Sequence, residues 1–178
     1  LWAIDAQGAA TDDPAVLIAD PPGALLPVGG MEHGHKGYAL ALLVEALGAA
    51  GARVDYDLPH RQEGHGLAHR AVDDAIRGGI GVLLTCDTGI GDAEVVAEAV
   101  ARGLTVVITD HHDLPPELPP AHAVLNPKLL PEDHALRELA GVGVAYELAL
   151  ALHSEAGSGE VSNEPSLLDL VALGLVAD

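Results

Sequence analysis

The stretch GVLLTCDTGIGDAEVVAEAVARGLTVVITD, Gly81 to Asp110, decides the fold. Its two ends, GVLLTCD and LTVVITD, are continuous apolar runs that each close on an acid, Asp87 and Asp110. Runs of that length with no polar alternation belong to strands covered on both faces, as in a parallel sheet. Between them, GDAEVVAEAVARG has helical spacing and a glycine stop. Strand, helix and strand in this order predict parallel strands joined by a right-handed crossover. Sites in such sheets lie at the carboxyl ends of the strands, so Asp87 and Asp110 are expected on one rim.

Working outward, the rhythm continues upstream, where GLAHRAVDDAIRGG reads as a helix and ARVDYDL alternates like a strand. From Lys36 to Ala50, KGYALALLVEALGAA predicts a helix of three to four turns, mostly buried because Glu45 is its only acid. The opening residues, WAIDAQGAATDDPAVLIADPPGALLPVGG, are dense in turn formers and read as irregular, with one or two short strands and apolar pieces at Val16 to Ala19 and Ala24 to Val28. Downstream, HALRELAGVGVAYELALALHSEAG is a helical region interrupted at AGVGVA, where Gly141 and Gly143 permit close backbone approach. EVSNEPSLL is a polar loop, and SLLDLVALGLVAD is an apolar helix or helix–strand unit ending in Asp178. The expected fold class is α/β, a mainly parallel sheet with flanking helices.

The totals bound the function. With 178 residues and 49% apolar side chains the chain can bury one domain well. Phe is absent, so the core must be built from Ala, Leu, Val and Ile. A formal charge of −19 repels phosphate backbones unless metal ions or a separate basic region intervene, which argues against a broad basic nucleic-acid face. Cys86 is the single cysteine, so no intrachain disulfide forms and a reducing, cytoplasmic setting fits. No apolar run reaches the roughly 18 residues of a membrane span. The chain starts at Leu1 and stops at Asp178 directly after LVALGLVA, as a piece of something longer is expected to do.

The rim carries the chemistry. VVITDHHDLPPELPP, Val106 to Pro120, ends an apolar strand in an acid and two imidazoles and then enters a proline loop. Asp87, Asp110, His111, His112 and Asp178 have the side chains that Mn2+ or Mg2+ takes at a hydrolytic centre, where paired ions activate water and steady a leaving phosphate oxygen. Taken singly, an Asp after a strand also serves as a turn or helix cap, and adjacent histidines are usually solvated. Their convergence on one rim is what favours a metal centre, and the pattern alone leaves both readings open. His60, Arg61 and His65 in LPHRQEGHGL face the same rim if that loop follows a strand, to contact an anion or simply to be solvated. His69, His122, His134 and His153 show no partner pattern and are read as surface, and Asp92 and Glu94 as helix-start residues.

From about Gly48 to Asp178 the chain resembles the catalytic domain of RecJ-type single-stranded-DNA exonucleases of the DHH phosphoesterase superfamily. The resemblance rests on PHRQEGHGL, CDTGIGDAE, ITDHHDLPPELPPAHAVLNPK, LAGVGVAYELA and LLDLVALGLVAD. It implies a Mn2+ (or Mg2+) centre in which Asp87 bridges two metals, His111 is a ligand and Asp178 closes the second metal's shell. Asp110 and His112 would complete the site by holding phosphate or orienting neighbours, and Arg61, His65, Gly141 and Gly143 would border the substrate. The implied reaction is hydrolysis of single-stranded DNA from the 5′ end.

One departure stands out. The family's first motif, a strand ending in closely spaced aspartates, should precede ALALLVEAL, yet LLPVGGMEHGHKGY stands there. Residues 1–47 resemble instead the C-terminal region of the malate/L-lactate dehydrogenase family that lacks a Rossmann domain, in which His35, Lys36 and Gly37 would contact NAD(P). The implied organisation is a chimera, with a foreign strand–loop–helix segment at 1–47 joined to a truncated phosphoesterase domain at 48–178. ALLPV and the helix after it would fill the place of the missing unit, so the fold is expected to survive while one metal loses carboxylates and activity is impaired. His33, His35 or Glu32 are the nearest substitutes for those ligands. The competing expectations are a dehydrogenase fragment and a catalytically silent binding module.

Overall fold

The computed structural model describes residues 3–25, 35–59, 64, 66–155 and 171–172. The Gly81 to Asp110 stretch forms the expected unit: β4 (Val82–Cys86), α3 (Ala93–Ala101) and β5 (Thr105–Thr109). Strands β4 and β5 are parallel, with Val82 opposite Thr105 and Cys86 opposite Thr109. A third parallel strand, β6 (Ala123–Leu125), pairs with β5 and completes the order β4-β5-β6. The remaining helices are α1 (His35–Ala49), α2 (His69–Arg77) and α4 (Gly141–Glu155).

Successive residues of β4 point to opposite faces, as the pleat requires. Leu83 packs with Val72 and Ala75 of α2, Val96 and Ala99 of α3, and Val106 and Ile108 of β5. Leu84 and Cys86 pack instead with Ala39, Leu42 and Leu43 of α1 and Val142, Ala145 and Ala149 of α4. The sheet is therefore covered by helices on both faces, which is why β4 and β5 are apolar apart from their threonines. Val72, Val96, Val106 and Ile108 are completely buried, and each such side chain contributes roughly 1.5–3 kcal/mol.

Helix α1 is buried along one stripe only. Ala39, Leu42 and Leu43 face α4, whereas Ala41, Glu45 and Gly48 are exposed. Scarcity of charge in an Ala-rich helix thus did not mean all-round burial, because Ala costs little at an exposed position.

Three sequence expectations are corrected. ARVDYDL forms no strand: residues 52–59 are irregular, with Tyr56 66% and Leu58 40% exposed. Alternation alone cannot hold a strand that lacks a paired neighbour, and its acids are drawn elsewhere. Asp57 accepts a bidentate pair from Arg70 at 2.8 and 2.9 Å, and Asp55 Oδ1 accepts from the Tyr56 amide. The apolar piece at Val16 forms a 3-10 turn, Pro14–Ile18, capped by Asp13. Finally, the described part of ALLPV, Ala24–Leu25, lies outside the parallel sheet. Ala24–Leu25 is β3 of a separate antiparallel sheet with β1 (Ala3–Ile4) and β2 (Ala10–Thr11), order β2-β1-β3. The predicted polar loop EVSNEPSLL lies outside the described residues, as does SLLDLVALGLVAD apart from the helical pair Val171 and Ala172.

Candidate metal centre

Asp87 and Asp110 each stand one residue past a strand, and the ladder continues through their backbones. The Asp87 amide donates to the Thr109 carbonyl at 2.9 Å and the Asp110 amide to that of Leu125 at 3.0 Å. The register that sets Cys86 against Thr109 therefore sets the two acids side by side on the carboxyl rim.

Past β4 the chain turns sharply. Asp87 takes φ 60°, a left-handed conformation that among residues with a Cβ Asp tolerates better than most. Thr85 Oγ1 donates to the Thr88 carbonyl at 2.7 Å, and Gly89, at φ 106°, lies so close that a Cβ there would stand 2.9 Å from that hydroxyl oxygen. The turn thus folds back on β4 and leaves the Asp87 side chain facing β5.

Asp110 is 1% exposed and organises the rim. Its Oδ2 accepts from the Ile90 amide at 3.0 Å, which ties the turn after β4 to β5. Its Oδ1 accepts from the amides of His111 at 2.8 Å and His112 at 3.2 Å, and from His112 Nδ1 at 2.6 Å. Facing a carboxylate, Nδ1 is the donor, so a neutral His112 ring keeps its lone pair on Nε2. All four contacts go to neighbours on the rim, three on Oδ1 and one on Oδ2, so of the two roles expected of Asp110, orienting neighbours is the one its surroundings favour.

His111 Nε2 lies 3.0 Å from Asp87 Oδ1, and the two imidazole centroids are 4.7 Å apart. One ligand atom from each of Asp87, His111 and His112 falls within 4.8 Å of the other two. A carboxylate with two imidazoles suits Mn2+, which accepts both hard oxygen and nitrogen donors. Beside it, burial and the charges of Asp87 and Asp110 push the Cys86 thiol up to about 12, so Cys86 is an inert packing group.

The start of α4 reaches the same spot. A Cβ at Gly141 would stand 2.7 Å from Asp87 Oδ1, so only glycine lets this helix end approach the carboxylate, and the positive end of the helix dipole favours the charge there. At Gly143 a Cβ would meet Leu139 Cδ2 at 2.7 Å, so that glycine also lets the segment before α4 pack closely. Asp178, Arg61, His65, Glu32 and His33 lie outside the described residues, as do the side chains of His35 and Lys36. Asp92 makes no side-chain cap for α3; its Oδ2 accepts from the Leu67 amide at 2.7 Å. His69 is exposed and faces Glu98 at 2.5 Å. His122 is exposed as well, and its Nδ1 accepts from the Val106 amide at 3.1 Å.

Sequence reasoning missed Asn126. It is 6% exposed, donates from Nδ2 to the His112 carbonyl at 3.0 Å and accepts at Oδ1 from the Lys128 amide at 2.9 Å. Lys128 also pairs through Nζ with Asp113 and holds the Asp113 carboxyl below the usual carboxylate range. The available signal was a polar residue closing an apolar strand, AVLN, on the rim already marked by Asp87 and Asp110.

Comparison with known proteins places these features. The model of the DHH family, N-terminal domain, matches residues 37–175. The single-stranded-DNA-specific exonuclease RecJ of Haemophilus influenzae is 44% identical over 147 residues, 78% of this chain and 25% of the relative. That of Escherichia coli is 39% identical over 148 residues, 78% of this chain and 26% of the relative. That of Thermus thermophilus is 33% identical over 183 residues, 89% of this chain and 26% of the relative. The chain thus spans about a quarter of the length of these relatives. A crystal structure of exonuclease RecJ bound to manganese superposes with a TM-score of 0.68 at 33% identity, covering 80% of this chain and 36% of that one. The crystal structure of RecJ from Thermus thermophilus in complex with Mn2+ gives 0.63 at 31% identity, over 79% of this chain and 19% of that one.

The dehydrogenase resemblance of residues 1–47 is not borne out. The DHH match already begins at residue 37, within α1, and a match over 89% of the chain necessarily takes in residues 25–47 as well. Gly37 is buried, where contact with NAD(P) would need it open. A glycine loop before an Ala- and Leu-rich helix is common to many strand–loop–helix units, which is why the likeness misled.

Proposed function

This chain belongs to the DHH family, and on that premise we propose that it carries part of a Mn2+- or Mg2+-dependent phosphodiesterase centre acting on single-stranded DNA from the 5′ end. The observation that carries the reading is the convergence of Asp87, His111 and His112 within 4.8 Å on the carboxyl rim of the parallel sheet. The manganese held by the RecJ structures similar to it supports the choice of metal.

In this reading Asp87, His111 and Asp178 would be the residues that hold the divalent metal. A bound divalent ion supplies an acidified water and charge compensation for the leaving phosphate oxygen. His112, oriented by Asp110, contacts the phosphate, while Arg61 and His65 meet the strand and the start of α4 at Gly141 borders it. The family match over residues 37–175 takes in most of α1, which packs in the same core as α4, so α1 belongs to the domain that does this chemistry. Activity is impaired relative to full-length relatives, because no aspartate pair stands directly before α1 and carboxylate count sets affinity for hard cations. With a charge of −19, DNA is gripped weakly and through the metal. Among the described residues no helix is long and apolar enough to cross a membrane, and a cytoplasmic setting suits the single, unreactive cysteine.

The test is a single strand labelled on its 5′ nucleotide, incubated with the chain and Mn2+. Slow release of the labelled mononucleotide, stopped by chelation and absent for duplex DNA, is expected. Release that persists in chelator, or starts from the 3′ end, contradicts the reading.

A further inference from the structure

We propose that Asn126 is a positioning residue for His112, acting through the His112 carbonyl. The inference rests on the metal-centre reading above and adds to it the group that holds the histidine doublet in place.

His112 has a side chain that is 53% exposed, so packing alone does not fix its ring. Asp110 anchors the ring at Nδ1. A ring is aimed only if its backbone is also held, and here the chain offers little help. Pro115, Pro116, Pro119 and Pro120 follow within eight residues and supply no amide donors for a ladder. The segment is instead tied by side chains: Asp110 Oδ1 accepts the His112 amide at 3.2 Å, and the strand end beside it holds the carbonyl side. Asn126, buried at the end of β6, donates to the His112 carbonyl at 3.0 Å, and Lys128 pairs with Asp113. The second tie is the weaker, because Asp113 is 94% exposed and exposed pairs hold little.

The two bonds of Asn126 can be separated. Its Oδ1 caps the 3-10 turn Pro127–Leu129 through the Lys128 amide, and only Nδ2 reaches His112. Asn126→Asp keeps an acceptor for the cap and removes the donor. Asn126→Ser offers a second route, since its hydroxyl serves as a cap but is too short to span to His112.

The experiment compares Mn2+-supported nucleotide release, beside Mn2+ titrations, for the unaltered chain, Asn126→Asp, Asn126→Ser and Lys128→Ala. Thermal melting and the His112 ring NMR signals of the metal-free proteins are recorded alongside. The expected result is a loss of nucleotide-release rate of about 10-fold or more in both Asn126 variants, the scale of lost outer partners at such a site, with Mn2+ affinity little changed because the ion is held by Asp87 and His111. Melting should stay cooperative, the Nδ1–H signal of His112 should shift or broaden, and Lys128→Ala should stay within about 3-fold of the unaltered chain. A purely structural role predicts Asn126→Asp equal to the unaltered chain in both release rate and His112 signals, and that result overturns the proposal; if the unaltered chain releases no nucleotide, the His112 signals decide. If the unaltered chain binds no Mn2+, the metal-centre reading fails separately. The metal-free His112 signals then decide: unchanged in both folded variants, they overturn the positioning role, and displaced, they support it.

Discussion

His111 Nε2 and Asp87 Oδ1 meet at 3.0 Å across the rim between β5 and β4. Each side chain arrives there for its own backbone reason: Asp87 by a left-handed turn at φ 60°, and His111 as the residue after an aspartate whose Oδ1 accepts its amide. The meeting depends on the parallel register of two strands, so it reports the fold and the candidate chemistry together.

Gly141 makes a direct claim on that geometry. Replacing it by Ala places a Cβ 2.7 Å from Asp87 Oδ1, so the helix or the carboxylate must move. Gly141→Ala should therefore weaken Mn2+ binding and destabilise, even though Ala is the better helix former. Gly48→Ala is the control: nothing lies within 4 Å of that position in α1, and roughly 0.5–1 kcal/mol of stabilisation is expected. Denaturant midpoints of both variants check the opposite signs, and stabilisation by Gly141→Ala would count against the packed contact.

Asp110 and His112 should separate stability from function. Asp110→Asn turns an amide toward groups that now donate to a buried carboxylate, which costs roughly 1–3 kcal/mol and also releases the His112 ring. His112→Ala removes one of the four donors to the buried Asp110 carboxylate and should cost less stability than Asp110→Asn, which disturbs all four, while lowering hydrolysis strongly. Denaturant midpoints and rates of nucleotide release, measured on both variants, check this. Equal destabilisation by the two substitutions contradicts the organising role of Asp110.

These dependences also explain what was legible in advance. Strands β4 and β5 and helices α2 and α3 could be read because burial on both faces, or on one helical stripe, writes itself into the local pattern. The pairing of Asp87 with Asp110 was readable for the same reason, as strand ends in a parallel sheet share a rim. Residues 52–58 misled because alternation records what a strand needs, not whether a partner strand exists. The partners of Asn126 and of Gly141 were not legible, because they lie 14 and 54 positions away in sequence, and only packing of β6 and α4 against the rim brings them together.

Away from the site, Glu98 joins α3 to α2. Its carboxyl is held below the usual range by His69 first and Arg102 second. A depressed carboxylate contributes stability above its ordinary pKa range, and that contribution is lost as pH falls through the lowered folded value. His69→Ala should therefore raise the Glu98 titration midpoint more than Arg102→Ala does, as side-chain carboxyl NMR would record. The reverse order contradicts the assignment, and because the group is exposed the effect on melting should be slight.

The most direct test of the account is a calorimetric Mn2+ titration of the chain beside its Asp87→Ala variant. Saturable binding that disappears in the folded variant is the predicted result, since Asp87 is the carboxylate on which His111 and His112 converge. Binding of equal strength in both proteins, or none in the unaltered chain, would contradict the claim that this rim is a metal centre.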